Sequence, residues 1–595
     1  MTWRQFTLRC PSPESVRLLL DGKVTTFEAA PDRVFEHYRR RPPDPFLAKK
    51  IDSALCDRNA RRGMAMKQGH VQFDNFAATL FPLEPTWAEN PFGDNNWQWS
   101  LHSLTIIRYL LAAHRKTAED WFLSRAEQLI LDWMCDNYTS EPPSRFSWSD
   151  HATALRLENL LYLLEYARGR GINSAGLGAL LGIISTHGAV LADGAFYNKH
   201  TNHGLDQSYI LYLAGAAFPE FVEAHHWRET GRTRLVDELS FAFTSEGLHV
   251  ENSPSYHFVL LRRALQVDAT LKHYQGEGLG PGLRDLLDKA FRFGACIMKP
   301  DGTLPILGDS EAERVKDDPG FLAACGLRGY EEFRYSVSQG REGVAPAESV
   351  YVFPKSGYAV LRSTWEPSRL GQSLYLLFKA GFLSAYHKHD DDLSFLLYNM
   401  GEDWIIDSGL YKYQEKDALR QYVRGPWAHN AIVVDNLSAA RAWADVGKSH
   451  IDEVSFDGET GLATVVGSHT LYPGIRVCRR LSYARPDRIK LADHVVAADG
   501  KEHIYRALFH IPSDKTISVF ERGAAITSNR TGAVLRIVAT EGAIRRARVL
   551  EAEEPPDYCG WTSPKYGQRE RCACLCLEGT GVEWRTVIEL AWETA

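Results

Sequence analysis

The hydrophobic period changes once along this chain, and the change limits the folds that it can adopt. From about residue 101 to residue 298 apolar residues recur at helical spacing, which predicts amphipathic helices over residues 101–115, 118–137, 151–168, 227–243 and 255–274. After about residue 349 the period becomes two, which predicts strands over residues 357–363, 373–379, 393–398, 431–435, 475–483, 489–496 and 582–590. A helical part is therefore followed by a part built of sheets.

The order of the two patterns predicts the fold class. A series of helices of this length closes most simply into a helical bundle or toroid, and strands with no helices between them form an antiparallel sandwich. A length of 595 residues also requires more than one domain. We therefore predict a multidomain α+β chain with a small N-terminal segment (1–60), an (α/α) toroid domain (61–345) and an antiparallel β-sandwich domain (346–595).

Charge and hydropathy exclude two classes of partner. Lys and Arg number 68 against 75 Asp and Glu, a net charge of −7, which argues against a basic nucleic-acid binder. No stretch approaches the roughly 20 apolar residues that span a bilayer, so we expect no membrane partner. The first ten residues lack an apolar signal core. We expect a cytoplasmic protein, or a periplasmic or secreted one if a signal was removed.

The cysteines show no framework of spaced pairs. Cys572, Cys574 and Cys576 alternate, as residues on one face of a strand do, and a C-x-C-x-C run is also compatible with metal binding. We favour a strand in a reducing compartment.

Two polar segments fall in the helical half. In Thr201–Gln207, Asn202 is suited to capping the helix that follows, and with His203 it offers an amide and an imidazole to a carboxylate. In residues 246–257, Tyr256 lies at a loop–helix junction beside Glu, Asn and His, where functional side chains are common. An ordinary half-buried tyrosine is the alternative.

Two further polar segments fall in the strand-rich half. His387 and His389 point to the same side of an extended chain, which suits acid–base chemistry or metal binding. Asp407 follows one apolar strand and His429 precedes another. With His389 they form a set of two imidazoles and a carboxylate that suits zinc. The alternative is that both are strand-end residues in turns.

Together the four segments resemble the heparinase II/III family of polysaccharide lyases, and their spacing is most similar to its heparin-sulfate lyase branch. The resemblance rests on Asn-His-Gly at 202–204, Glu-Asn-Ser-Pro-Ser-Tyr-His at 251–257, His-Lys-His-Asp-Asp-Asp-Leu-Ser at 387–394, Asp-Ser-Gly at 407–409 and Ala-His-Asn at 428–430. It implies an incomplete (α/α) toroid followed by an antiparallel β-sandwich. It also implies β-elimination on a uronic-acid polysaccharide, glycosaminoglycan or alginate-like, to give 4,5-unsaturated uronate ends.

The resemblance assigns catalytic roles. Asn202 and His203 would neutralise the uronate carboxylate and stabilise the anion that forms beside it. Tyr256 would protonate the departing glycosidic oxygen and abstract the C5 proton in some substrates, with His387 as the other candidate base. The family's further tyrosine matches Tyr411, Tyr413 or Tyr422, of which we name Tyr413.

The resemblance also implies one structural zinc ion, held by His389, Asp407 and His429, and no organic cofactor. The only expected partner is an acidic polysaccharide or oligosaccharide. The acidic run at residues 390–392 departs from the family pattern and predicts a cleft that is less welcoming to densely sulfated chains.

Several residues are candidates for binding the sugar chain. Trp and Arg suit stacking on sugar rings and pairing with carboxylates, although core Trp and surface Arg are equally common. The predicted substrate-binding residues are Trp97, Trp99, Trp148, Arg156, Gln207, Glu251 and Asn252.

Two other functions remain open at the level of sequence. A glycoside hydrolase on a helical toroid would need two carboxylic acids, which Glu251 with Glu246 or Asp206 could supply. A non-catalytic polysaccharide-binding protein would not need the full set of proton-transfer residues.

Overall fold

The computed structural model describes residues 16–168, 170, 174–316, 321, 324, 326–555 and 558–593. The chain divides into two compact units. The first contains the described residues up to Phe241 together with Val267–Leu279, and the second contains Ala242–Gln266 and the described residues from Gly280 onward. The predicted boundaries at residues 60 and 345 stay predictions. The first ten residues, on which the expected location rests, lie outside the described part.

The first unit is mainly helical. Its helices are α1 (Pro31–Arg40), α2 (Pro45–Ala54), α3 (Asp57–Lys67), α4 (Asn95–His102), α5 (Ile106–Thr117), α6 (Trp121–Asn137), α7 (Asp150–Ala167), α8 (Ser174–Ala192), α9 (Asn202–Ala217) and α10 (Ala224–Ala242), whose last residue belongs to the second unit. Two small hairpins pair β1 (Arg17–Leu20) with β2 (Lys23–Thr26) and β3 (His70–Val71) with β4 (Thr79–Leu80). The helix predicted over residues 101–115 is interrupted, because Leu104 adopts a left-handed backbone (φ 52°) between α4 and α5.

Helix α7 forms the centre of this unit. It packs against α5, α8 and α9, and nearly every side chain from Thr153 to Ala167 is buried. A helix whose side chains are buried on all sides must be covered by neighbours all round. Its N-terminus carries Asp150 and His151, while α9 begins after Thr201, whose side chain accepts a hydrogen bond from the Gly204 amide. The Thr201 cap thus fixes Asn202 and His203 in the first turn of α9.

The second unit begins with helices and continues as sheets. Its helices are α11 (Pro254–Gln275), which the division of units crosses, α12 (Gly280–Ile297), α13 (Arg328–Val337) and α14 (Ala418–Arg424). Its strands are β5 (Val350–Phe353), β6 (Tyr358–Arg362), β7 (Tyr375–Lys379), β8 (Ser394–Asn399), β9 (Glu402–Ile405), β10 (Ile432–Val434), β11 (Ser449–Asp457), β12 (Leu462–Tyr472), β13 (Ile475–Ala484), β14 (Arg488–Ala497), β15 (His503–Pro512), β16 (Lys515–Phe520), β17 (Gly523–Ser528), β18 (Val534–Glu541), β19 (Arg546–Glu551), β20 (Trp561–Thr562), β21 (Glu570–Gly581) and β22 (Glu583–Trp592).

These strands form three antiparallel sheets. Their orders are β5-β6-β7-β8-β9, β10-β15-β21-β19 with β20 paired to β21, and β11-β12-β13-β14-β22-β18-β17-β16. Strand β13 alternates buried and less buried residues, as a sheet with one covered face requires, whereas β7 and β8 are buried throughout. The predicted class, an incomplete (α/α) toroid followed by an antiparallel β-sandwich, is confirmed. The strand predicted for Cys572, Cys574 and Cys576 is also confirmed, since all three lie on β21 with free, buried thiols.

None of the helices in the described part of the chain is long and apolar enough to cross a membrane.

Candidate functional site

The loop that precedes α11 is attached to the loop that carries His387. Asn252 has a left-handed backbone (φ 58°), and its side-chain amide donates to the main-chain oxygens of Ser384 and Tyr386 at 2.8 and 2.9 Å. The side chain is buried and both amide protons are used. Asn252 therefore holds two loops together, which favours an organising role over the predicted contact with substrate.

These two loops bring Tyr256 and His387 together, and Tyr413, from the segment between β9 and α14, joins them. The hydroxyl oxygens of Tyr256 and Tyr413 are 2.8 Å apart, and the rings of Tyr256 and His387 stack with centroids 4.1 Å apart. Burial raises the pKa of the Tyr256 hydroxyl, against a smaller opposing effect of its hydrogen bond to Tyr413. A phenol that keeps its proton is a suitable general acid.

His387 lies between two carboxylates. Its Nδ1 is 2.6 Å from Asp309 Oδ2, and its Nε2 is 3.3 Å from Glu251 Oε2. Burial opposes the charged imidazole, but these carboxylates outweigh burial and raise the pKa of His387 to about 9. Glu251 is buried at 3% exposure, so it contacts the imidazole of His387 instead of solvent.

Asp309 contacts several members of this cluster, and the sequence analysis did not identify it as a site residue. Besides His387 it accepts hydrogen bonds from His389 Nε2 at 2.8 Å and from both terminal nitrogens of Arg420 at 2.5 and 2.9 Å. Burial opposes ionisation, yet the neighbouring His389, His387 and Arg420 hold the pKa of Asp309 well below its usual range. The only sequence signal was a polar pair, Asp309-Ser310, which follows the apolar stretch 304–307 after a single glycine, Gly308.

The three predicted zinc ligands lie at neighbouring strand ends. Asn430 joins these ends, because its amide donates to the main-chain oxygens of Phe395 and Ile406 at 2.8 and 2.7 Å. His389, Asp407 and His429 are completely buried. His429 Nδ1 is 2.9 and 3.1 Å from the two Asp407 oxygens, and the rings of His389 and His429 are 5.4 Å apart.

The donor atoms of this set allow a test of whether a metal fits. His389 Nδ1 and His429 Nε2 are buried and have no hydrogen-bond partner. Leaving buried imidazole nitrogens unpaired is unfavourable, and such nitrogens are preferred zinc ligands. Among the described residues no group of three His, Cys, Asp or Glu side chains has the arrangement of a metal site as it stands. The two unpaired nitrogens nevertheless fit an ion.

In the first unit, Asn202 and His203 belong to a cluster of paired imidazoles. His203 Nδ1 is 3.1 Å from Asp150 Oδ2, and His151 Nε2 is 2.8 Å from Asp206 Oδ2. The two imidazole rings stack with centroids 4.3 Å apart, and Trp99 packs on His151 at 5.2 Å. Trp99 is half-buried, so part of its ring stays accessible to a sugar.

The other predicted binding residues of this unit lie in its core. Trp97, Trp148, Arg156 and Gln207 are at most 1% exposed. Arg156 packs on Trp148 and donates to the main-chain oxygens of His102 and Ser147. Gln207 forms hydrogen bonds with the main chain at residues 196 and 198. Their burial leaves no surface for a sugar to contact, which favours packing over the predicted stacking and pairing roles.

The acidic run at residues 390–392 is not part of a solvated surface. Asp391 is 2.6 Å from Lys379 Nζ and Asp392 is 2.6 Å from Lys388 Nζ, and all three aspartates are at most 4% exposed. Their charges are compensated inside the second unit, Asp390 by Arg441 at 3.2 Å. Burial and these ion pairs remove the basis of the prediction that the run makes the cleft less welcoming to densely sulfated chains.

Comparison with known proteins agrees with these motifs. Two family models match the chain: Heparinase II/III N-terminus over residues 5–318 and Heparinase II/III-like, C-terminal, over residues 345–590. A heparin-sulfate lyase of Bacteroides stercoris is 23% identical over 74% of this chain and 70% of its own length. A heparin-sulfate lyase of Bacteroides thetaiotaomicron is 23% identical over 90% of this chain and 80% of its own length. The crystal structure of heparinase III superposes with a TM-score of 0.75 at 19% identity, covering 95% of this chain and 89% of that one, which shows a shared fold.

Proposed function

The chain belongs to the heparinase II/III family, and we propose that its substrate is heparan sulfate. As a member of this family it is a polysaccharide lyase, which cleaves a uronic-acid-containing glycosaminoglycan by β-elimination. The relatives named as heparin-sulfate lyases support this choice of polymer. The observation that carries the chemistry is the cluster of Tyr256, Tyr413 and His387. Mere binding of a polysaccharide does not require two hydrogen-bonded phenols beside an imidazole.

The first requirement of the reaction is to make the C5 proton acidic. The carboxylate beside C5 must be neutralised, so that the charge which develops on removal of the proton is stabilised. In our proposal Asn202 and His203 do this. Among the described residues, neither the Asn202 amide nor His203 Nε2 has a protein hydrogen-bond partner, so both are free to bind a carboxylate.

The second requirement is a pair of proton transfers. A base takes the C5 proton, the electron pair of that bond forms the C4–C5 double bond, and the C4–O bond breaks as the departing oxygen receives a proton. We assign the last transfer to the Tyr256 hydroxyl, with Tyr413 as its hydrogen-bond partner. His387 is the candidate base through Nε2, because the 3.3 Å separation from Glu251 is looser than the 2.6 Å bond from Nδ1 to Asp309. Since the two carboxylates raise the pKa of His387 to about 9, it acts as a base only in the molecules that have lost the Nε2 proton, and this fraction grows as the pH rises towards 9.

The buried set of His389, Asp407 and His429 is our proposed zinc site, with His389 Nδ1 and His429 Nε2 as unpaired donors. When bound, the ion would offset the buried negative charge of Asp407 and fix the strand ends that carry the histidines. It takes no direct part in the proton transfers.

No observation favours a hydrolase. Glu246 accepts hydrogen bonds from the Ser356 amide and hydroxyl at 2.9 and 2.7 Å, and Glu251 faces His387. Glu251 and Glu246, the first pair of acids that a hydrolase would recruit, are therefore already bound within the protein.

The test is a screen of uronic-acid polymers: heparan sulfate, hyaluronan, chondroitin sulfate and alginate. We expect heparan sulfate to give products that absorb in the near ultraviolet, because elimination leaves a C4–C5 double bond. Absorbing products from another polymer alone would overturn the choice of substrate. New reducing ends without absorbance would overturn the lyase chemistry.

A further inference from the structure

One tryptophan of the second unit is exposed on the loop of residues 435–448, between β10 and β11. The Trp443 side chain is 51% exposed, and no other tryptophan in the described part of the chain is as exposed. Its neighbours Ala442 and Ala444 are too small to cover the indole. A single exposed apolar side chain is common on protein surfaces, so its position in the fold decides what it means.

The position of Trp443 is beside the segment that carries the candidate base. The rings of Trp443 and Tyr386 are perpendicular, with centroids 5.0 Å apart, which is a favourable arrangement for two aromatic rings. Tyr386 directly precedes His387, and its main-chain oxygen accepts the Asn252 amide at 2.9 Å. One neighbouring ring covers at most one face of the indole. The other face is therefore available to a ligand that lies next to His387.

The loop that carries Trp443 is attached to the same segment. The Ala439 amide donates to Asp390 Oδ2 at 3.2 Å, and Arg441 Nε lies 3.2 Å from Asp390 Oδ1. The first aspartate of the acidic run thus connects this loop to the segment of His387. A side chain on an anchored loop loses little conformational entropy when it binds, which favours a binding role.

The chemistry of an exposed indole suits one part of an acidic polysaccharide. Such a chain carries its carboxylates and sulfates at the edges of the sugar rings and C–H groups on their faces. The face of an aromatic ring is weakly negative, so it attracts C–H groups and repels anions. The indole is therefore suited to stacking on the face of a sugar ring.

We propose that Trp443 binds the substrate by stacking on a sugar unit outside the pair that is joined by the cleaved bond. The inference rests on the proposed function, because it assumes that Tyr256 and His387 act on a sugar chain. The ring of Tyr386 separates Trp443 from His387, which is why the stacked sugar is not one that reacts. Trp443 lies outside the family motifs and outside the helical segments in which the sequence predicted sugar-binding tryptophans.

A contact of this kind depends on the length of the chain that is bound. Only a chain that reaches from His387 to Trp443 gains from the indole, so the gain should appear as the substrate lengthens. The contact is the same before the reaction and in the transition state, so its loss raises KM and leaves kcat unchanged.

The experiment measures kcat and KM on heparan sulfate tetra-, hexa- and octasaccharides, by the near-ultraviolet absorbance of the unsaturated product. We expect Trp443→Ala to raise the KM of the octasaccharide about 3- to 10-fold and that of the tetrasaccharide by less, with kcat nearly unchanged. An unchanged KM at every length would overturn the proposal. A loss of equal size at every length would also overturn it, because the indole would then act at the reacting residues.

Three control variants separate stacking from packing. Trp443→Leu keeps apolar bulk against Tyr386 but has no flat face, so it should bind as poorly as Trp443→Ala with the melting temperature of the parent. Trp443→Phe keeps a ring and should recover most of the affinity. Equal recovery by Leu and Phe would overturn the proposal. Phe456 is also 51% exposed, but it lies about 20 Å along β11 from Ser449, so Phe456→Ala should leave every KM unchanged.

Failure of the proposed function would look different. If the wild type cleaved another polymer and not heparan sulfate, the choice of substrate would fail, and oligosaccharides of that polymer would decide the role of Trp443 in the same way. If the wild type gave no unsaturated product from any of the polymers, the lyase chemistry would fail and the inference with it. If the wild type cleaved heparan sulfate and Trp443→Ala matched it at every length, only the inference about Trp443 would fail.

Discussion

The imidazoles of the two units are held in different ways. In the second unit both ring nitrogens of His387 face buried carboxylates, and its ring stacks on Tyr256. In the first unit His203 is held at Nδ1 alone, and Nε2 is free of protein partners among the described residues. A side chain fixed on every side is suited to a proton transfer that demands a set geometry. A side chain with one free, polar end is suited to recognising a charged group.

The largest expected effect tests the geometry of the second unit. Tyr256→Phe removes only the hydroxyl and should lower kcat by about 10²–10⁴-fold, because a positioned proton donor is lost. Binding of oligosaccharide and the melting temperature should hardly change. Tyr413→Phe, which removes the partner hydroxyl, is the matched control and should cost less. If Tyr256→Phe kept more than a few per cent of the wild-type rate, Tyr256 would not be the acid.

The two histidines of the His-Lys-His segment should separate chemistry from metal binding. His387→Ala should lose about 10²-fold or more in rate while keeping its metal and its melting temperature. His389→Ala should lose the metal and melt at a lower temperature, because an ion bound only by the native state stabilises it. Elemental analysis and thermal melts with and without chelator provide the measurement. A wild-type protein with no bound metal, and with a melting curve that a chelator leaves unchanged, would contradict the zinc site.

A smaller effect is expected for Asn202, which lies beside His203 in the first unit. Asn202→Ala removes one donor to the substrate carboxylate and should lower kcat/KM by about 10–10³-fold. A polymer whose uronates have been reduced to neutral hexoses should not be cleaved by wild type, since nothing then acidifies the C5 proton. Equal cleavage of the reduced and native polymers would show that the carboxylate is not recognised.

Local patterns in the sequence predicted the fold, and the family resemblance supplied the candidate site residues. The helical and two-residue periods are local properties, so they located the helices α5, α6, α7, α10 and α11 and the strands β6, β7, β8, β10, β13, β14 and β22. Asp309 and Arg420 were missed because they reach His387 and His389 only through the folded chain. The sequence predicted that the aspartates at 390–392 face the cleft, because nothing in their local spacing indicates that Lys379, on the preceding strand β7, compensates Asp391. Burial determines the role of Asp309 and of these aspartates, and the spacing of residues along the sequence does not indicate burial.

The smallest expected effect distinguishes the two tryptophans of α4. Trp99 is half-buried against His151, whereas Trp97 is 1% exposed and packs on Phe73. Trp99→Ala should raise KM by about 2- to 10-fold through a lost stacking surface, with the melting temperature nearly unchanged. Trp97→Ala should lower stability by about 3–5 kcal/mol and leave the KM of the folded fraction unchanged. Kinetics and thermal melts on both variants make the comparison, and an unchanged KM for Trp99→Ala would leave both residues as packing residues.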